Sequence, residues 1–318
     1  MDPKPRILRL GTRGSLLART QSQIVADDLE KRHPGLHVDL VIVKTTGDLV
    51  TDQPLHDIGG KGLFVKELEL ALLSGDVDFA VHSYKDVPVT MPLVDESNLI
   101  IAATTERQDP RDALACRPGK PPVTLQDLPQ GATVGTGSLR RRCQILQQRP
   151  DLIVKPIRGN VDTRLRKLND GHFDAIVIAM AGLRRVGMFD GESMHALDPA
   201  EMLPAPGQGA LALQCRRDAP EVRDLLAGIH DPAAAACVAV ERQLVARLGR
   251  DCHSPIAALG TIVGGMLHLR AAVGARDGNV PVVFAEAAGP SSEVTPIIDQ
   301  CFHLLLDQHA DQLLAVSR

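Results

Sequence analysis

The stretch VHSYKDVP, residues 81–88, closes the apolar run VDFAVH on a lysine, an aspartate and a proline. Lys85 and Asp86 are then either an ordinary solvated turn or a charge pair that a buried strand delivers into a cleft. A second chemical pattern surrounds them. LRLGTRGSL (8–16) and TVGTGSL (133–139) each run from a strand through Gly-Thr into a helix capped by serine, Ser15 and Ser138. Small residues at such a turn let backbone N–H groups approach a ligand, and the helix dipole favours an anion there. The same residues also make good turn and cap chemistry with no ligand at all. Arginines tilt the balance. Arg13 follows the first Gly-Thr, Arg140, Arg141 and Arg142 follow the second, and Arg158, Arg164 and Arg185 stand where a strand or loop enters a helix. Guanidinium groups bind carboxylates bidentately and stay charged when partly desolvated, so this set suits a ligand with several carboxylates. Arg142 is expected on a solvated helix face.

The elements that must position these residues alternate, short apolar strands with amphipathic helices, which predicts α/β architecture with largely parallel sheets. ILRLGT, LHVDLVIV, VDFAVH, ATVGT, LIVKPI, DAIVIAM and LALQC read as strands. LLARTQSQIVADDLEKR, LFVKELELALL, SLRRRCQILQQR and a segment from Val161 read as helices. Residues 44–62, with TTGD and GGKG, read as a long loop. The last 90 or so residues read as a separate small α/β domain, with two helices, three strands between Pro255 and Ala288, and a terminal helix.

Composition excludes several function classes. At 318 residues and 44% hydrophobic content the chain can bury more than one core. A formal charge of −4, no Trp and one Tyr argue against a general nucleic-acid binder with base-stacking platforms. The N-terminus lacks a signal-like apolar segment and no run reaches membrane-spanning length, so a cytoplasmic protein without a membrane partner is expected. The six cysteines are scattered without a C-x-x-C pair, which suggests neither zinc nor a redox dithiol, and no metal is expected. GGKG lacks P-loop spacing.

GTRGSLLAR, GGKGLFVKELE, DFAVHSYKDVP, ERQDPRDAL, GTGSLRRRCQ, IRGNVDTRLRKL, LPAPGQGAL and the region of Cys252 together resemble the porphobilinogen deaminase (hydroxymethylbilane synthase) family, in the same order from about residue 7 to 260. The resemblance implies an α/β enzyme of three domains, two periplasmic-binding-protein-like lobes plus a small C-terminal α/β domain with a three-stranded sheet. The expected boundaries are 1–104 with 206–225, 105–205, and 226–318. It further implies a monomeric transferase that deaminates four porphobilinogen molecules and couples them into hydroxymethylbilane, on a dipyrromethane cofactor held by a thioether.

By residue, the resemblance makes Asp86 the catalytic carboxylate and Cys252 the covalent anchor. Ser83, Lys85, Asp86, Thr136, Ser138, Arg140 and Arg141 would hold the cofactor. Arg13, Ser15, Lys61, Arg158, Arg164 and Arg185 would hold the acetate and propionate groups of the substrate. A carboxylate suits the task because ammonia loss leaves a cationic pyrrole, and a thiolate suits the anchor because it is a soft nucleophile. Taken alone, Cys252 reads as a buried core thiol. Cys143 matches a family cysteine without a cofactor and is expected to be structural. Gly137, Asp57, Arg250 and Asp251 depart from the family's usual pattern. Two other classes fit in part: a non-enzymatic binder of an anionic small molecule, and a regulator's effector domain, for which no helix-turn-helix segment is found.

Overall fold

The computed structural model describes residues 6–44, 65–89, 91–117, 119, 123–249 and 254–315. Strand β1 (Arg6–Thr12) begins the chain's first sheet and alternates its side chains, so that Leu8 and Leu10 are buried on one face. Ser15 then caps helix α1 (Leu16–Arg32), its Oγ accepting from the Ala18 N–H at 3.3 Å. The helix ends at His33, where Pro34 and Gly35, at φ 87°, turn the chain into β2 (Leu36–Ile42). Val25, Ala26 and Leu29 of α1 pack on Leu8, Leu10 and Phe79, while Leu68 and Leu72 of α2 (Lys66–Leu73) pack with Val77, Ala80 and Leu99. Phe79 lies on β3 (Phe79–Ser83) and Leu99 opens β4 (Leu99–Thr104).

The chain forms two compact units, residues 1–108 with 210–235, and residues 109–209 with 236–318. The first holds a five-stranded sheet in the order β2-β1-β3-β10-β4, with β10 spanning Leu211–Arg216. The second holds β5 (Asp112–Cys116), β6 (Thr133–Gly135), β7 (Ile153–Lys155), β8 (Ala175–Ala179) and β9 (Met194–Ala196), in the order β7-β6-β8-β5-β9. It also holds a separate antiparallel sheet of β11 (Ile256–Val263), β12 (Met266–Gly274) and β13 (Val282–Pro290). The expected α/β class, with two lobes and a distinct three-stranded sheet, is what the chain adopts.

The two five-stranded sheets share one topology. In each, the first strand pairs in parallel with the two that follow it, β1 with β2 and β3, β6 with β7 and β8. The fourth position is a reversed strand, β10 in one sheet and β5 in the other, antiparallel to both neighbours. Each reversed strand is the one whose chain arrives from the other unit. This corrects the expectation of largely parallel sheets: in these two sheets as many pairings are antiparallel as parallel. The sequence also left β4, β5 and β9 unread. The Gly-Thr echo, by contrast, marks equivalent places, the ends of β1 and β6. Gly135 shows why a glycine is needed there, since a Cβ would stand 2.9 Å from both Ile176 Cγ2 and Phe173 Cδ1.

Within the second unit, Cys143 and Leu203 bury themselves against Ala257, Leu259, Ala272 and Val282 of the three-stranded sheet. Glu241, on the helix Pro232–Arg247, ties the same parts together by accepting from the N–H groups of Gly207 and Gly260, both at 2.7 Å. No helix among the described residues is long and apolar enough to cross a membrane.

Candidate active site

In the first unit the register Leu10↔Phe79 and Gly11↔Ala80 makes β1 and β3 end side by side, where open α/β sheets place ligands. Arg13 and Ser15 follow β1, and both are half-buried. Ser83 ends β3 and its Oγ donates to Gln21 Oε1 of α1 at 3.1 Å, fixing the strand end against the helix. Tyr84–Asp86 then form a single 3-10 turn, closed by the Val87 N–H on the Tyr84 carbonyl at 3.1 Å. His82 and Val87 are buried on either side of this turn, and Pro88 is buried too. Lys85 is half-buried and the Asp86 carboxylate is exposed, so a turn with anchored flanks presents the charge to solvent.

His82, missing from the expected set, links these residues. Its Nε2 lies 3.1 Å from Gln214 Oε1, and burial lowers its pKa to about 4. The Gln214 hydrogen bond opposes that shift, the Arg13 charge adds to it and the Asp86 charge opposes it. The charges of Arg13 and Asp86 thus both act on one imidazole. Between pH 6.5 and 4 the unfolded chain binds a proton that the folded His82 refuses, so stability is full above about pH 6.5 and falls as pH drops towards 4, by up to about 3 kcal/mol. Urea unfolding at pH 7 and pH 4.5 should show this loss in the wild type and a smaller one in His82→Gln. Equal losses in both would refute it.

In the second unit β6 and β7 end together, Gly135 beside Lys155, while β8 pairs with Gly135 at Ile176 and runs on to Ala179. Thr136 is buried and its Oγ1 accepts from the Ser138 N–H at 3.2 Å, while Ser138 Oγ caps the helix Leu139–Gln148 by accepting from the Arg141 N–H at 3.4 Å. Gly137 lies between them, close enough to the next strand end that a Cβ would be 3.1 Å from the Ile157 carbonyl oxygen. Arg158 follows Ile157. Gly159, at φ 109°, gives the turn a shape that a side chain would spoil, with Thr163 Cγ2 only 2.6 Å from the Cβ position. Arg164 Nε donates to the Gly159 carbonyl at 2.8 Å.

Arg140 and Arg141 are 4% and 5% exposed, and their Nη2 atoms donate to the two oxygens of one carboxylate, Asp112, at 2.9 and 2.8 Å. Their Nη1 atoms reach the carbonyls of Leu203 at 2.6 Å and Val177 at 2.9 Å. Gln208 Nε2 adds a third donor to Asp112 at 2.8 Å. Burial alone would raise the Asp112 pKa, and the two guanidinium groups more than offset it, holding the group well below the usual carboxylate range. Two cations on one anion leave an excess positive charge. Arg141 Nε and Arg158 Nη2 are moreover buried with no hydrogen-bond partner among the described residues. Arg185 donates to the Gly209 carbonyl at 2.6 Å, and burial lowers its pKa to about 10, with no carboxylate among the described residues offsetting the shift. Excess charge and orphaned donors fit a ligand bearing several carboxylates. No group of three His, Cys, Asp or Glu among the described residues could hold a metal ion.

Asp112 and Gln208 were also missing from the expected set, although Asp112 lies in the quoted ERQDPRDAL and Gln208 in LPAPGQGAL. Asp112→Asn should cost about 3–5 kcal/mol in chemical denaturation, because it strips a buried guanidinium pair of its anion. A loss below about 1 kcal/mol would mean that the pair is not held by that charge. Arg142 requires a correction. It is half-buried, donating to the Val154 carbonyl at 2.8 Å and to Asn279 Oδ1 at 3.1 Å, because the segment after β12 packs where solvent was expected.

Lys61 and Cys252 lie outside the described residues, as do Asp57, Arg250, Asp251 and the GGKG loop. The other five cysteines are all buried. Cys143 is among them, its thiol donating to the Arg140 carbonyl at 3.2 Å and pushed up to about 11 by burial.

Two family models match the chain. The porphobilinogen deaminase dipyromethane cofactor binding domain matches residues 8–224, and the porphobilinogen deaminase C-terminal domain matches residues 235–294. A porphobilinogen deaminase of Roseiflexus sp. (strain RS-1) is 46% identical over 308 residues, covering 97% of this chain and 98% of the relative. One of Syntrophobacter fumaroxidans is 46% identical over 309 residues, covering 97% of each.

Proposed function

The chain belongs to the porphobilinogen deaminase family, and from that membership we propose how its residues divide the work of the reaction. The reaction is the family's: four porphobilinogen molecules are deaminated and joined head to tail into hydroxymethylbilane, with release of ammonia, for tetrapyrrole biosynthesis. When bound, the dipyrromethane cofactor supplies a tethered pyrrole that accepts the first substrate ring.

Ser83, Lys85, Asp86, Thr136, Ser138, Arg140 and Arg141 hold the cofactor. The observation that carries this reading is the Arg140–Arg141 pair sharing one buried carboxylate, beside an orphaned Arg141 Nε–H. One further carboxylate would balance the charge and satisfy the donor. Arg13, Ser15, Lys61, Arg158, Arg164 and Arg185 hold the substrate's acetate and propionate groups. The orphaned Arg158 Nη2 and the largely desolvated Arg185 support that assignment.

Asp86 acts on the reacting ring. As the aminomethyl C–N bond of porphobilinogen breaks, the electron pair leaves with ammonia and positive charge spreads over the pyrrole. A carboxylate fixed beside the ring nitrogen stabilises that charge more in the transition state than in the bound substrate. Cys252 carries the cofactor through a thioether, a role supported by the burial of the other five cysteines. The three hydrogen-bonded sheets support domain boundaries at 1–104 with 206–225, 105–205 and 226–318. A cytoplasmic monomer acting on a small molecule, without nucleic acid or membrane, completes the proposal.

Intact-mass measurement of the protein purified from cells tests it. The expected result is the chain mass plus two linked pyrroles, and a bare chain without porphobilinogen turnover would reject it.

A further inference from the structure

His82 stands four residues before Asp86, and its partners form a buried polar chain that core packing alone does not require. At one end Glu69 of α2 is fully buried. Its Oε1 accepts from Gln214 Nε2 at 2.8 Å and from the Leu93 N–H at 3.1 Å, and its Oε2 accepts from the N–H groups of Leu93 at 2.9 Å and Val94 at 2.8 Å. Every one of these partners is a donor, so both oxygens act as acceptors. The Gln214 amide is thereby oriented, with NH₂ toward Glu69 and oxygen toward His82. An amide oxygen can only accept, so His82 Nε2 carries the proton and Nδ1 is left with a lone pair.

Among the described residues, the charged groups near this imidazole are Arg13 from the turn after β1, Asp86 from its own turn, and Glu69 reached through Gln214 on β10. An imidazolium at this point would repel Arg13 and draw the Asp86 carboxylate into a pair, competing with the pyrrolic cation that the carboxylate serves. We propose that the Glu69–Gln214 relay makes His82 a positioning residue, locking it as the neutral Nε2–H tautomer so that the Ser83–Asp86 turn is rigid and the Asp86 charge stays available to the substrate. The functional half of this proposal rests on the reading of Asp86 as catalytic; the tautomer does not.

The test is ¹⁵N spectroscopy of the histidine-labelled holoenzyme, joined to kinetics of Gln214→Leu. His82 is recognised as the imidazole that stays neutral at pH 5 and is missing from the His82→Gln spectrum. The expected pattern at pH 7 is a protonated Nε2 with an unprotonated Nδ1. An Nδ1–H tautomer, or no histidine neutral at pH 5, overturns the relay. Gln214→Leu should lose the fixed tautomer, lower kcat by up to about a hundredfold, leave KM for porphobilinogen and the cofactor adduct unchanged, and move the acid limb of the pH–rate profile downward, because the hydrogen bond that raises the His82 pKa is gone. A folded Gln214→Leu protein with wild-type kcat and pH profile overturns the positioning role, and if that variant does not fold, the wild-type spectrum still decides the relay. Wild-type turnover in Asp86→Asn would overturn the functional half alone, because the tautomer pattern is read independently of it.

Discussion

Replacing Cys252 by serine is expected to leave the purified chain at its bare mass, with no linked pyrroles attached and no sustained production of hydroxymethylbilane. The physical ground is nucleophilicity. A thiolate attacks an electrophilic carbon readily near neutral pH, whereas the far less acidic serine hydroxyl has almost no anionic form available. The remaining cysteines offer no substitute. Burial pushes the thiols of Cys143 and Cys215 up to about 11 and that of Cys301 up to about 12, raises that of Cys116, and encloses Cys237. Mass spectrometry of the wild type and variant side by side reads the outcome directly. An adduct that survives the substitution would move the anchor to another residue.

Asp86→Asn should lower kcat by about 10²–10⁴ while the cofactor adduct and the fold persist. The substitution keeps the shape of the side chain and removes only the charge proposed to stabilise the developing pyrrolic cation. Because Asp86 is exposed on a turn whose flanks are buried, the folded state should lose no more than about 0.5 kcal/mol, and the defect is then chemical and not structural. Single-turnover deamination, with unfolding measured in parallel, separates the two. Near-normal rates in the variant would remove Asp86 from the mechanism, and a large stability loss would recast it as a structural residue.

Much of the fold was legible because it is written in short-range patterns. Apolar runs gave β1 and β3, helical spacing gave α1 with its Ser15 cap, and the three strands of the last sheet together span 256–290, within two residues of the stretch from Pro255 to Ala288 read for them. The Gly-Thr echo was legible as well, and it marks equivalent strand ends in two sheets of like topology. What stayed hidden was whatever depends on a distant partner. Strands β4 and β5 pair as they do because the chain passes between two units, β4 with a β10 that returns more than a hundred residues later. Arg142 looked like a solvated residue because its partner, Asn279, is 137 positions away.

The site divides along the same line. By itself the sequence determined which residue types are present, where guanidinium groups and serine caps fall along the strands, and, through the family's motifs, which aspartate and which cysteine to suspect. Only the tertiary structure decided that Arg140 and Arg141 share Asp112, and that Gln214 joins His82 to a carboxylate 145 residues away from it in the chain. Caps, turns and periodicity arise between neighbours a few bonds apart. The charge balance and proton placement of a buried cluster arise between groups that share no local pattern and meet only once the chain has excluded water around them.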